Sequence, residues 1–180
     1  MRMARNNARQ RILDASLTVS LRNGAAHLTL DAVAAEAGVS KGGLLYHFAD
    51  KQALLAGLLE AALQHFDDAV LQRAAADSRP GALVRAYAEA SESTASALPD
   101  LFPALLAAAA HDPALLAPAQ DHFRRWQQRL EADGVDPVDA LLVRLAADGL
   151  WFADAYGLAP PTGARRRALL ARLVQRAAGD

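Results

Sequence analysis

The sequence predicts an all-α protein, and three observations carry that expectation. The chain of 180 residues is 53% hydrophobic but only 6% aromatic, and much of its apolar content is alanine, the strongest helix former. Val, Ile, Phe and Tyr, the residues that favour strands, are scarce. Apolar residues recur at helical spacing in segments separated by Gly, Pro or Asp-Pro, which gives about nine helices and no convincing strand.

The first helix is expected over Asn7 to Asn23, where Ile12, Leu13, Leu17 and Leu21 repeat and Gly24 stands at a left-handed C-cap. Thr29 can cap a second helix, with Leu28 and Val33 at the spacing of a hydrophobic staple. Gly38 stops that helix, Val39 turns the chain, and Ser40 caps a short third helix carrying Leu44, Leu45 and Phe48. Two short helices joined by a tight turn form the helix-turn-helix pattern, whose second helix enters a DNA major groove.

Asp50 then caps a long fourth helix with Leu54, Leu55, Leu58, Leu59, Phe66 and Val70 along one side. Pro80-Gly81 breaks the chain before the helix of Leu83, Val84 and Tyr87, and Pro99 and Pro103 flank the start of the next. Asp112-Pro113 and Asp136-Pro137 each place a capping carboxylate before a proline at the first helical position. Pro118 should kink or split the segment from Asp112 to Asp133, and Thr162 can cap the last helix.

Charge is unevenly distributed. Residues 1 to 51 hold seven basic groups against four acidic, whereas the remainder holds twelve against sixteen. A basic head on an acidic body suits a polyanionic partner. Arg2, Arg5, Arg9 and Arg11 read as an N-terminal arm that follows a DNA backbone or enters the minor groove.

Several classes are excluded. The chain has no cysteine, so disulfides and thiolate chemistry are absent. It has no HExxH, no Glu-x-x-His pair and no glycine-rich phosphate loop after a strand. His111-Asp112 and Asp121-His122 lack supporting ligands at fixed spacing. No catalytic residue, metal or cofactor is expected. The basic N-terminus has no apolar run behind it, and the longest apolar stretch, Leu101 to Ala110, is shorter than the ~18 residues that span a bilayer. A soluble, cytoplasmic protein with no membrane partner is expected.

The segments ILDAS (Ile12 to Ser16) and LTLDAVAAEAGVSKGGLLYHFADKQALL (Leu28 to Leu55), with the Gly24 break between them, resemble the TetR family of transcriptional regulators. The resemblance covers about the first third of the chain strongly, and the order of later helices fits the family's effector and dimerisation domain. It implies a DNA-binding domain over residues 1–50, with the connecting helix running to about residue 66, and a body over residues 51–180. It further implies a homodimer on double-stranded, pseudo-palindromic operator DNA, released by a small-molecule effector, with repression the commoner outcome. The alternative is a DNA-binding regulator whose body takes a protein partner or no ligand.

By the same resemblance, Thr29, Ser40, Lys41, Gly42, Gly43, Leu45, Tyr46, His47 and Lys51 are the DNA-contact positions. Gly42 and Gly43 cost helix stability, and at Gly42 the missing side chain lets the N–H groups of the helix N-terminus approach DNA closely. Gly43 stands where the family often has a hydroxyl or amide, and Leu45 where a tyrosine is common; Leu45 can touch a thymine methyl. Lys41 and Lys51 are the only lysines, and their point charges suit phosphates.

For the body, candidate pocket residues are Phe66, Tyr87, Phe102, His111, Trp126, Asp148, Trp151 and Phe152. An inward-facing Asp148 or Asp154 would suit a cationic aromatic ligand. The resemblance implies a four-helix dimer interface built on Val138, Leu141, Leu142, Leu145, Leu169 and Leu173.

Overall fold

The computed structural model describes residues 2–24, 27–94, 109 and 112–178. Among these residues there are eight α-helices and no strand: α1 Arg2–Asn23, α2 Leu30–Ala37, α3 Lys41–His47, α4 Lys51–Ala74, α5 Ala82–Thr94, α6 Ala117–Glu131, α7 Pro137–Tyr156 and α8 Gly163–Arg176. A 3₁₀ turn, Pro113–Leu116, precedes α6. The helix expected after Pro99 lies outside the described residues. The chain divides into two units, Met1–Ala62 with Asp100–Ala119, and Leu63–Pro99 with Gln120–Asp180, so α4 contributes to both.

In the first unit, α1 begins at Arg2, earlier than the apolar repeat indicates. Arg2, Arg5, Arg9 and Arg11 therefore belong to a helix and not to an extended arm. Ile12, Leu13 and Val19 of α1 are buried together with Leu28, Val33 and Leu44. Leu28 and Val33 complete the expected staple around Thr29, whose hydroxyl oxygen accepts from the Ala32 N–H at 3.2 Å. Gly38 ends α2 in the left-handed region at φ 64°, and the Val39 N–H returns to the Ala34 carbonyl at 3.0 Å. That closed turn fixes where α3 begins.

The second unit packs α5, α7 and α8 on one another. Its core is rich in alanine, with Ala86, Ala88, Ala90, Ala140 and Ala147 all buried, so helices approach closely while each residue buries little surface. Asp136 caps α7 through the N–H groups of Val138 and Asp139 at 2.8 and 3.2 Å. Gly157 closes its other end at φ 63°. Thr162 occupies the cap position of α8, yet its side chain makes no capping hydrogen bond. Pro118 splits its segment as expected: the 3₁₀ turn capped by Asp112 ends and α6 begins around it.

Polar tethers fasten the helix ends of this thin core. The buried Arg85 guanidinium donates to Asp77 Oδ2 at 2.8 and 3.0 Å, to the Pro80 carbonyl at 2.9 Å and to the Ala177 carbonyl at 3.0 Å. Hydrogen bonds from Arg79, and then from Arg85, hold the Asp77 carboxyl well below the usual carboxylate range. Gly81, at φ 79°, passes so close that a Cβ there would lie 2.1 Å from the Ala177 carbonyl oxygen. Asp133 completes the joint, accepting from the Gly81 N–H on its backbone carbonyl at 2.7 Å and from the Val84 N–H on its side chain at 3.0 Å. Replacing Arg85 by leucine keeps the stem but removes the donors to Asp77 and to the Arg79, Pro80 and Ala177 carbonyls; urea denaturation should show a loss of roughly 2 kcal/mol.

Candidate nucleic-acid interface and buried polar cluster

The N-terminus of α3 is built by Ser40, whose Oγ accepts from the Gly43 N–H at 3.0 Å. The two glycines then separate in role. A Cβ on Gly43 would stand 3.3 Å from Ser40 Oγ and 3.8 Å from Val39 Cβ, which crowds the cap. A Cβ on Gly42 would meet nothing within 4 Å. Among the described residues nothing opposes a side chain at Gly42, and the position is exposed. At Gly43 the cap would have to give by a few tenths of an ångström to admit one.

Around that terminus, Thr29, Ser40 and Lys41 are exposed, as are Leu45 and Tyr46, whereas His47 and Lys51 are half-buried. Tyr46 and His47 meet edge to face with centroids 5.2 Å apart. Lys41 Nζ is paired with Asp31 at 3.0 Å, both groups being exposed, so a phosphate would draw on a charge already positioned across the turn. Phe48 is buried and anchors the end of α3. It needs Gly57 on α4, where a Cβ would approach its ring to 2.6 Å. Arg9 lies 5.3 Å from the Phe48 ring centre and pairs with Glu60 at 3.3 Å, tying α1 to α4. The helical repeat of α4 gave no sign of the demand at Gly57, because it comes from a ring on another segment.

In the second unit four of the expected pocket residues converge. Phe66 meets Tyr87 and Trp126 with ring centres 5.0 and 6.2 Å apart, and Tyr87 meets Trp126 at 5.6 Å. The Tyr87 hydroxyl donates to Asp148 Oδ1 at 2.7 Å, and Arg144 donates to Asp148 Oδ2 at 2.7 Å. Arg144 also donates to Gln127. Burial raises the Tyr87 pKa well above its ordinary value, assisted by the Asp148 charge. Burial also raises Asp148, opposed by its bonds from Tyr87 and Arg144.

Two members of the cluster were not anticipated. Asp67 accepts from Trp126 Nε1 at 2.6 Å and lies 3.5 Å from Nδ1 of His122. His122 is buried, with Phe66 and Phe123 at ring distances of 6.0 and 5.5 Å. A signal was present: His122, Trp126 and Leu130 recur at four-residue spacing, and Asp67 falls one turn before Val70, so both polar groups lie on apolar faces.

The other candidates go elsewhere. Trp151 lines a narrow crevice with Ala88, Glu92, Arg166 and Leu170, apart from the cluster. Phe152 is exposed and stacks on Tyr156 at 4.6 Å, so it is a surface residue and not a pocket wall. Asp154 is committed to Arg166 at 2.7 Å. Phe102 and His111 lie outside the described residues.

Of the expected interface residues, Val138, Leu142 and Leu145 are 64%, 46% and 53% exposed. Phe152 and Tyr156 extend the same stripe along α7, and the exposed Gly149, between Leu145 and Phe152, leaves open space beside the backbone. Leu141 is half-buried, and Leu169 packs on the chain's own core. Leu173 is a correction: it is buried within the second unit, because α8 turns that side chain toward α5 and α7.

Comparison with known proteins decides the assignment. The description "Bacterial regulatory proteins, tetR family" matches residues 12–58, and "Tetracyclin repressor-like, C-terminal domain" matches residues 81–178. The chain belongs to the TetR family. It is 30% identical over 159 residues to the HTH-type transcriptional regulator BetI of Yersinia pestis (strain Pestoides F), covering 82% of this chain and 80% of BetI. Its fold matches a transcriptional regulator from Streptomyces coelicolor A3(2) with TM-score 0.71 at 24% identity, covering 96% of this chain and 99% of the other. It also matches multidrug binding protein EbrR complexed with ethidium, with TM-score 0.68 at 30% identity over 92% of this chain and 98% of EbrR.

This TetR-family chain is thus a DNA-binding transcriptional regulator, with no helix among the described residues long and apolar enough to cross a membrane. Its buried cluster has a pH signature. Burial lowers the His122 pKa below 6.5, opposed by Asp67 and reinforced by Arg125. The unfolded chain therefore binds a proton that the folded chain resists, so His122 costs stability as pH falls below about 6.5 and nothing above it. Urea midpoints measured between about pH 7.5 and about pH 5.5 should drop more steeply for the native chain than for His122→Gln.

Proposed function

We propose that this TetR-family regulator is a repressor that binds a pseudo-palindromic operator as a homodimer and is released by a small-molecule effector. Residues 1–50 carry operator binding, and residues 51–180 carry effector binding and dimerisation. The observation that supports DNA contact most directly is the pair of glycines on α3. A Cβ at Gly43 would crowd the Ser40 cap, while one at Gly42 would project into open space. Thr29, Ser40 and Lys41 are the phosphate contacts, assisted by Tyr46, His47 and Lys51, and Leu45 offers an apolar contact to a base edge.

An effector releases DNA by binding better to a conformation that does not fit the operator. In a dimer, such a conformation is one in which the recognition helices depart from the roughly 34–36 Å spacing of successive major grooves. The EbrR structures with ethidium and with malachite green support a small-molecule site in this chain, as does the aromatic cluster of Phe66, Tyr87 and Trp126. The exposed stripe of α7 supports self-association, since a run of large apolar side chains in water calls for a partner.

Two experiments test these roles separately. Gly42→Ala should leave the melting temperature unchanged or raised, because alanine is worth up to about 1 kcal/mol in a helix. Fluorescence anisotropy with the DNA flanking its own gene should nevertheless show about tenfold weaker binding at fixed salt; unchanged affinity rejects close approach at this position. Leu145→Arg places a charge in the stripe and should give a monomer in sedimentation velocity, with operator affinity reduced by about tenfold or more. A dimer that survives this change would place the interface elsewhere.

A further inference from the structure

We infer that the effector is an aromatic cation and that Asp67 supplies its countercharge, an assignment that rests on the effector-responsive reading above. The carboxylates near the body's aromatic residues differ in their partners. Asp148 is held by Arg144 at 2.7 Å and Asp154 by Arg166 at 2.7 Å, so each already has a guanidinium. Asp67 has no Lys or Arg nitrogen in ion-pair contact among the described residues; its partners are the Trp126 indole N–H and His122.

Its surroundings suit a cation. The carboxylate stands against the Trp126 indole and the His122 imidazole, with Phe66 beside it in sequence and Tyr87 packed on Phe66. Aromatic faces carry negative charge density that attracts a desolvated cation. Trp126 already shows this capacity, since the Arg129 guanidinium lies 4.4 Å from its ring centre. The Asp67 side chain keeps 24% of its surface exposed, so a charged group reaches it without first crossing an apolar interior. A neutral ligand would bury that carboxylate without recompense, and an anion would be repelled.

The indole of Trp126 fills the interior of the cluster. A cation that takes Asp67 Oδ1 competes with the 2.6 Å bond from Trp126, and one that takes Oδ2 shares the carboxylate with that indole. Either changes the surroundings of Trp126 and supplies a direct optical signal, because Trp126 and Trp151 are the only tryptophans.

The test uses the full chain carrying Trp151→Phe, so that Trp126 is the sole emitter, with ethidium as the probe and no DNA present. Saturable quenching of Trp126 is expected. Asp67→Asn should weaken it by about tenfold or more, while Asp68→Asn, the same charge change one residue along at an exposed position, should leave it within about twofold. Uncharged phenanthridine, the parent ring system, provides the same comparison on the unaltered Asp67 site and should not saturate, which keeps the test valid if Asp67→Asn unfolds. Equal affinity of Asp67→Asn and the parent, equal affinity of the two ring systems, or no ethidium binding overturns the assignment. Operator release by uncharged or anionic compounds, with no ethidium binding, overturns it while leaving the effector-responsive reading in place. Operator binding that compounds of no charge class alter overturns both.

Discussion

The Arg85 guanidinium is the only lysine, arginine or carboxylate side chain classed as buried among the described residues, and the second unit is arranged around it. A core so rich in alanine buries little apolar area per residue, since each methyl group contributes only about 1 kcal/mol. Helices can then come close together, but their ends need other fastenings. Arg85 joins the turn at Asp77–Pro80 to the end of α8 through four hydrogen bonds to three acceptors. Gly81 is the geometric counterpart, for only a residue without a Cβ can pass the Ala177 carbonyl at that distance and hold a positive φ. Charge and backbone permissiveness together fasten helices whose contacts at this end are largely alanine.

The first unit solves a different problem with the same means. Its recognition helix has seven residues, too few to persist alone, because helix nucleation is costly and short helices are marginal in water. Three local devices hold it: the Ser40 cap, the Gly38 turn and the buried Phe48 seated over Gly57. All three lie at its ends or on its inner side. The outward side carries Gly42, Leu45 and Tyr46, all exposed, so their identities are not fixed by the core.

Features governed by neighbours in sequence were legible without a structure. Thr29, Ser40, Asp50, Asp112 and Asp136 accept the N–H bonds that their positions imply, because a cap depends on two or three adjacent residues. Pro118 splits its segment for the same reason. Features governed by distant residues were less so. Leu173 has the spacing of an exposed stripe, and only the placement of α8 on the core shows that its side is inward. Phe152 looks like a pocket residue by type, and the rotation of α7 puts it outside. The arginines of the N-terminus suggest an arm by charge, while the backbone continues the helix of α1 through them. Asp67 and His122 were passed over because single polar residues on helices are usually solvated, and their burial becomes visible only when α4 and α6 meet.

The place of the aromatic cluster on α4 bears on how such a body couples to DNA. A ligand with equal affinity for both conformations shifts no equilibrium, however tightly it binds. Here the interior is occupied by Trp126, whose indole is bonded to Asp67 on α4, and α4 is the helix that begins at Lys51 beside the recognition element. A ligand held by Asp67, as inferred above, would bind directly to α4, sharing or displacing the Trp126 bond. Release of an operator requires that this contact be stronger in the conformation that does not fit DNA.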